Sequence, residues 1–188
     1  AGIRRIEAVT GRGAYDLIQR RFRLLKQTAG QLGAAVDAVP EKVGALMQEL
    51  DESRKQIIRL RQDGVRAEFG KRLENVPMIG GAAVLSCLLP GADNDTLRQM
   101  ADLFRERYPS SAVVLGTVLG DRPTIIASVT DDLIKRGLNA GELVKQIAGI
   151  IEGSGGGRPN MAQAGGKNPA KLSEALDAAL PYIKTKIA

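Results

Sequence analysis

The run Gly153-Ser154-Gly155-Gly156-Gly157-Arg158-Pro159-Asn160-Met161-Ala162-Gln163-Ala164-Gly165-Gly166-Lys167 gathers the residue types that hold phosphate. Glycine admits positive φ and lets another molecule approach its main-chain N–H groups. Arg158 can fork onto phosphate oxygens, and Lys167 supplies a compact positive charge. Asn168 and Pro169 read as the N-cap and first residue of a helix running towards Ile187. The positive end of its dipole would then face whatever the loop binds. A flexible connection is the competing reading. The apolar Met161-Ala162-Gln163-Ala164 insert and the second glycine pair point instead to a shaped element.

Neither common nucleotide fingerprint fits this run. A Walker A loop needs Ser or Thr after its Gly-Lys pair and a glycine five positions before it, but Lys167 precedes Asn168 and position 161 is Met161. A dinucleotide fingerprint counted from Gly153 would need glycine where Arg158 stands. The pattern argues against bound ATP or NAD and leaves a polymeric phosphate ligand open.

The same stretch resembles the carboxy-terminal domain of alanyl-tRNA synthetases. The family segment GGGGRPxMAQAGGK stands here as Gly155 through Lys167, with Ser154 in place of one family glycine. Ile3-Arg4-Arg5-Ile6-Glu7-Ala8-Val9-Thr10-Gly11 is similar to the peptide that closes the family's editing domain, and Asp132 through Val144 to its approach to the glycine loop. A more distant resemblance is to the accessory domain of DHH phosphoesterases, whose glycine motif usually carries His at the place of Arg158. The synthetase resemblance implies an RNA-binding module that grips the tRNA elbow, so that aminoacylation and editing domains share one tRNA, with alanine tRNA as the partner. In that family ATP, Mg and Zn serve domains that precede this segment, so a fragment of a longer enzyme, with no catalytic site and no cofactor of its own, is expected. Two alternatives stand beside it. One is a dimerisation module that forms a homodimer; the other is an oligonucleotide-binding accessory domain of a phosphoesterase, which the Arg4–Gly11 peptide argues against.

Composition supports a binding module. The 27 Lys and Arg against 21 Asp and Glu give a net charge of +6 and a pI near 9.7, favouring an anionic partner. Residues 1–75 carry 15 basic and 10 acidic side chains, a net +5, whereas residues 76–188 carry 12 and 11, a net +1. Arg20, Arg21, Arg23 and Lys26 form one cluster, and Arg54, Lys55, Arg59, Arg61 and Arg66 another. A solvated helix face competes with an RNA contact for both. Aromatic residues make up 3% of the chain, so stacking on an aromatic platform is poorly supported. Phosphate and 2′-hydroxyl recognition suits Gly155, Gly156, Gly157, Gly165 and Gly166 together with Arg158, Gln163 and Lys167. Lys135, Arg136 and Lys171 are the supporting candidates.

One cysteine and no histidine limit the chemistry further. Zinc clusters and serine or cysteine triads cannot be assembled. Cys87, in the apolar run 82–89, reads as a small buried hydrophobe. Asp93 with Asp95, and Asp131 with Asp132, sit at expected helix starts and read as caps rather than as metal or acid–base groups. No uninterrupted apolar stretch reaches the roughly 18 residues of a membrane span, and no signal peptide opens the chain, so a cytoplasmic protein is expected.

The elements that must position these residues fall into an α+β (α/β) chain of three parts: a remnant of the preceding editing-domain linker at 1–13, a helical hairpin arm at 14–75, and a globular domain of the DHH-associated type at 76–188 carrying the glycine loop 153–167. In the arm, Tyr15, Ile18, Phe22, Leu25, Ala29, Leu32, Val36 and Val39 recur at steps of three and four, the seam of a helix that packs on another helix. A break at Pro40 precedes a second helix to about Asn75, with Val43, Leu46, Leu50, Ile57 and Leu60 on one side, implying an antiparallel hairpin. Beyond it, strands are expected near 82–89, 112–119, 124–129 and 161–164, with 120–123 as a hairpin turn. Helices are expected at about 95–107, 140–152, where Asn139 and Glu142 make a capping box, and 169–187.

Overall fold

The computed structural model describes Arg4 and residues 6–187, so Ile3 and Arg5 of the editing-type peptide lie outside the described residues. The chain divides into two compact units, residues 1–57 and 58–188.

In the first unit, helix α1 (Gly11–Leu32) stops where Gly33 turns left-handed at φ 60° and its N–H bonds back to Ala29 O and Gly30 O. After a 3-10 turn at Val36–Ala38, helix α2 (Val39–Arg72) begins. The chain break therefore falls at Gly33, ahead of the expected Pro40. Proline sits instead in the first turn of α2, where its missing N–H costs nothing. The apolar seam does not close on a neighbour. Ala29 is buried, but Tyr15, Ile18 and Phe22 are 61%, 64% and 47% exposed, and Val43, Leu46 and Leu50 are exposed as well.

The second unit is a six-stranded sheet in the order β1-β2-β3-β4-β6-β5, made of β1 (Met78–Ile79), β2 (Ala82–Leu88), β3 (Ser111–Leu119), β4 (Arg122–Val129), β5 (Ser154–Gly157) and β6 (Met161–Gly165). Only β2 and β3 run parallel, joined by helix α3 (Asn94–Arg107); the other neighbours are antiparallel. The strands alternate between two apolar cores because successive side chains point to opposite faces. Val84, Val114, Ile125, Ala127, Ala162 and Ala164 meet helices α4 (Asp131–Lys135), α5 (Ala140–Ala148) and α6 (Leu172–Ile187). Leu85, Cys87, Val113, Leu115 and Ile126 meet α3 and the end of α2, where Phe69 and Phe104 are fully buried with ring centroids 6.4 Å apart. Asp93 caps α3 by accepting the Thr96 N–H at 2.7 Å, and hydrogen bonds from Thr96 hold its carboxyl below the usual range. Asn139 caps α5 by accepting from the N–H groups of Gly141 and Glu142.

Burial pushes the Cys87 thiol from 9.0 up to about 11. The folded state thus keeps a proton that the unfolded state loses. Stability is unaffected below pH 9.0 and falls, by about 1.4 kcal/mol per pH unit at most, as pH rises towards 11. Urea unfolding on either side of pH 9.0 should show this slope and lose it in Cys87→Ala; equal slopes would place the thiol at the surface.

Candidate nucleic-acid interface

The glycine run is not an open loop. Ser154–Gly157 is the edge strand of the sheet and pairs with β6, Gly155 opposite Ala164 and Gly157 opposite Ala162. The period-two pattern that announces a strand is a side-chain pattern, and a run of glycines carries none. The hairpin turns at Pro159–Asn160, closed by the Arg158 N–H donating to Met161 O at 2.9 Å. Both sides pin this tip: the Ala140 N–H at the start of α5 donates to Pro159 O, and the Val129 N–H at the end of β4 donates to Asn160 O, each at 2.9 Å.

Close approach explains the glycines. A Cβ on Gly155 would stand 2.5 Å from Ala164 Cβ, and one on Gly157 would stand 2.6 Å from Ala162 Cα. Gly153 and Gly166 are equally confined, by Gly165 O and Ile151 O. Gly156 differs, since its nearest neighbour would be Lys145 Cε at 3.7 Å.

The expectation that main-chain amides before the last helix receive phosphate is corrected by the hydrogen bonding. The N–H groups of Gly153, Gly166, Lys167 and Asn168 donate to Ala148 O, Pro123 O, Ile151 O and Ile151 O. Asn168 does not cap a long helix. It precedes one 3-10 turn, Pro169–Lys171, and its Nδ2 donates to Glu152 Oε1 at 2.9 Å, while α6 starts only at Leu172. These four amides are spent inside the fold.

Arg158 and Lys167 are both exposed, and neither forms a salt bridge among the described residues. The hairpin holds them at opposite ends. Arg158 and Gln163 line a groove of about 410 Å³ with Arg98, Ile126, Asn160 and Met161. Lys167 lines a second groove of about 790 Å³ with Arg122, Asp121 and Glu152. Gly156 and Gly157 border the first groove, and Gly165 and Gly166 the second. Lys135 and Lys171 are exposed and line neither. Arg136 is exposed but engaged by backbone: Nη1 donates to Gly80 O at 3.0 Å and Nη2 to Ile187 O, tying the end of α6 to the β1–β2 turn.

Arg98 is the residue the sequence reading missed. It stands on α3, yet its Nη2 donates to Gln163 Oε1 at 3.0 Å. No local pattern could announce a partner so far along the chain; only the helical face opposite Leu97, Met100 and Ala101 marks Arg98 as a surface cation. Arg122 was likewise hidden as an ordinary turn residue.

Residues 81–185, more than half of the chain, match the DHHA1 domain family, and the protein belongs to it. It is 44% identical over 185 residues to the alanine–tRNA ligase of Bacillus subtilis (strain 168), an alignment covering 98% of this chain and 21% of the ligase. The enzyme of Halalkalibacterium halodurans is 43% identical over 186 residues with the same coverage. The chain thus spans about a fifth of the length of the curated relatives it matches. Among solved structures, the C-Ala domain from Aquifex aeolicus alanyl-tRNA synthetase superposes with a TM-score of 0.53 at 26% identity, over 58% of this chain and 98% of that domain. The resemblance read from the glycine run is borne out. The match is to the carboxy-terminal C-Ala region, and the ligases' catalytic domains lie outside it.

The glycine contacts separate neighbouring positions. Gly155→Ala should cost about 1–3 kcal/mol by forcing β5 off β6, whereas Gly156→Ala should stay within about 0.5 kcal/mol. Chemical denaturation measures both, and equal costs would contradict the strand packing described.

Proposed function

We propose that this chain is the RNA-binding carboxy-terminal module of an alanine–tRNA ligase, holding the elbow of a tRNA, alanine tRNA in the first instance, so that the ligase's other domains act on one bound molecule. The observation that carries this reading is the rigid glycine hairpin with an unpaired arginine at one end and an unpaired lysine at the other. Pinned cations at the two ends of one strand pair suit a nucleic-acid backbone, which offers phosphates at successive positions, better than a single small anion. Shape and phosphate recognition also fits a chain with 3% aromatic residues. The reading requires no cofactor here, since ATP, Mg and Zn would serve the domains that precede this region. Among the described residues no helix is long and apolar enough to cross a membrane, in keeping with a cytoplasmic ligase.

Filter binding tests it. Replacing Arg158 and Lys167 together with Ala should weaken affinity for alanine tRNA by about 1–3 kcal/mol and reduce the salt slope by roughly 2. Undiminished binding with an unchanged slope would remove the hairpin from the interface. Duplex DNA and a non-cognate tRNA in the same assay separate shape reading from charge alone.

The open seam of the first unit favours a second reading, a homodimer built on its helices, with Ile18, Phe22 and Leu25 as the apolar contact. Sedimentation should then give a dimer that Phe22→Glu converts to a monomer. A wild-type monomer at high concentration refutes this reading.

A further inference from the structure

We propose that the arm of the first unit closes on itself: α1 swings about Gly33 and lays its apolar stripe on α2 of the same chain, as an antiparallel coiled coil with Ala29 against Val39 in its first layer and Phe22 against Leu46 at its centre. The inference goes beyond the RNA-binding reading, which it neither uses nor tests.

An amphipathic helix gains most of its stability by packing its apolar stripe, so the stripe on α1 calls for a partner. Steps of three and four suit any second helix. What selects α2 is the apex of the arm. Among the described residues of the first unit only Ala29 and Val39 are buried, one on each side of the connection at 33–38. Exposure then grows outward along both helices, from 39% at Leu25 and 40% at Val43 to 64% at Ile18 and 51% at Leu50. Beyond the apex α1 packs on the 3-10 turn and not along α2. The hinge is free to move, since Gly33 stands at φ 60° and ψ 36° with nothing within 4 Å of where a Cβ would lie, and Ala34 and Ala35 follow it.

Register agrees with this start. Back from Ala29, steps of four, three, four and three reach Leu25, Phe22, Ile18 and Tyr15; forward from Val39, the same steps reach Val43, Leu46, Leu50 and Ser53. Helices rise equally per residue, so each layer from the apex to Ile18 with Leu50 is apolar on both sides, and only the last sets Tyr15 against Ser53. Ile18, Arg21, Phe22 and Leu25 surround a hollow of about 270 Å³. Their i, i+3, i+4, i+7 spacing is that of the hole that receives one knob in a coiled coil, and this register delivers Leu46 to it. Charge agrees as well. Arg21 precedes Phe22 and Glu49 precedes Leu50, so the two fall on one flank of the seam, and neither is in a salt bridge among the described residues. On the other flank Lys26 comes to Met47 and Gln19 to Arg54, so no like charges oppose. Arg20 and Arg23 occupy outer positions of the heptad, and closure hides the apolar stripe while keeping a cationic outer face.

Cysteine pairs in the whole chain test the closure. In dilute solution Ile18→Cys with Leu50→Cys should form a disulfide within one chain, seen as a faster monomer band on a gel without reductant. It should form roughly tenfold faster than the disulfide of Ile18→Cys with Ile57→Cys, which lies about two turns out of register. Cys87 is buried and holds its proton, so it stays out of the exchange. Glu49→Arg should slow the matched cross-link about threefold, and Arg21→Glu added to it should restore the rate. Equal rates for the two pairs, a disulfide that forms only between chains, or a matched rate indifferent to Glu49→Arg would each overturn the closure. The between-chain result would give the stripe to the homodimer instead. The RNA-binding reading fails separately, on tRNA binding by the Arg158 and Lys167 double variant, which these cross-links do not report.

Discussion

One sheet with two apolar faces sets the terms for this protein. Its strands bury Val84, Val114 and Ile125 on one side and Leu85, Val113 and Ile126 on the other, so both faces need helices. The cover is unequal. On one side α5 and α6 extend from β2 to β5, while on the other α3 packs on β3 and β4. What remains bare is a strip of β6 and β5 bordered by Arg98 and Arg158. The groove is a consequence of how few helices the second face received.

That strip exists because two strands approach more closely than side chains allow. Ala164 and Ala162 occupy the space that a Cβ on Gly155 or Gly157 would need. The glycines therefore serve the hairpin, and the hairpin serves the cations. Its tip is tied to α5 and to β4, so the Arg158 backbone is ordered before any ligand arrives. A charge mounted on such a support loses less freedom on binding than one on a mobile loop. On the RNA-binding reading proposed above, contact through Arg158 and Lys167 would be salt-sensitive and tolerant of sequence in the RNA.

The parts of the fold that sequence reading recovered are those in which side chains repeat. Strands β2, β3, β4 and β6 and helices α3 and α5 lie close to their expected positions, because each alternates or recurs with the period of its own backbone. Strand β5 could not be read, since glycine shows no apolar period. The helix start after Asn168 was misjudged for a different reason. Asn followed by Pro is a sound cap signal, but Glu152 drew the asparagine side chain away and left one 3-10 turn ahead of α6. In the arm, steps of three and four identified an amphipathic helix correctly and carried no information on whether anything would cover it.

Composition and local pattern by themselves determined that this chain has an α+β fold, a basic balance, no histidine chemistry and a glycine-rich element flanked by Arg158 and Lys167. Those properties are local or additive, and need no knowledge of distant neighbours. Tertiary structure alone decided that the glycines pair as a strand, that Arg158 and Lys167 stand at opposite ends of it, that Arg136 bonds to Ile187 O, and that Arg98 crosses to Gln163. Each of these depends on which backbone comes to lie beside which, and that is set by packing two sheet faces under a limited number of helices.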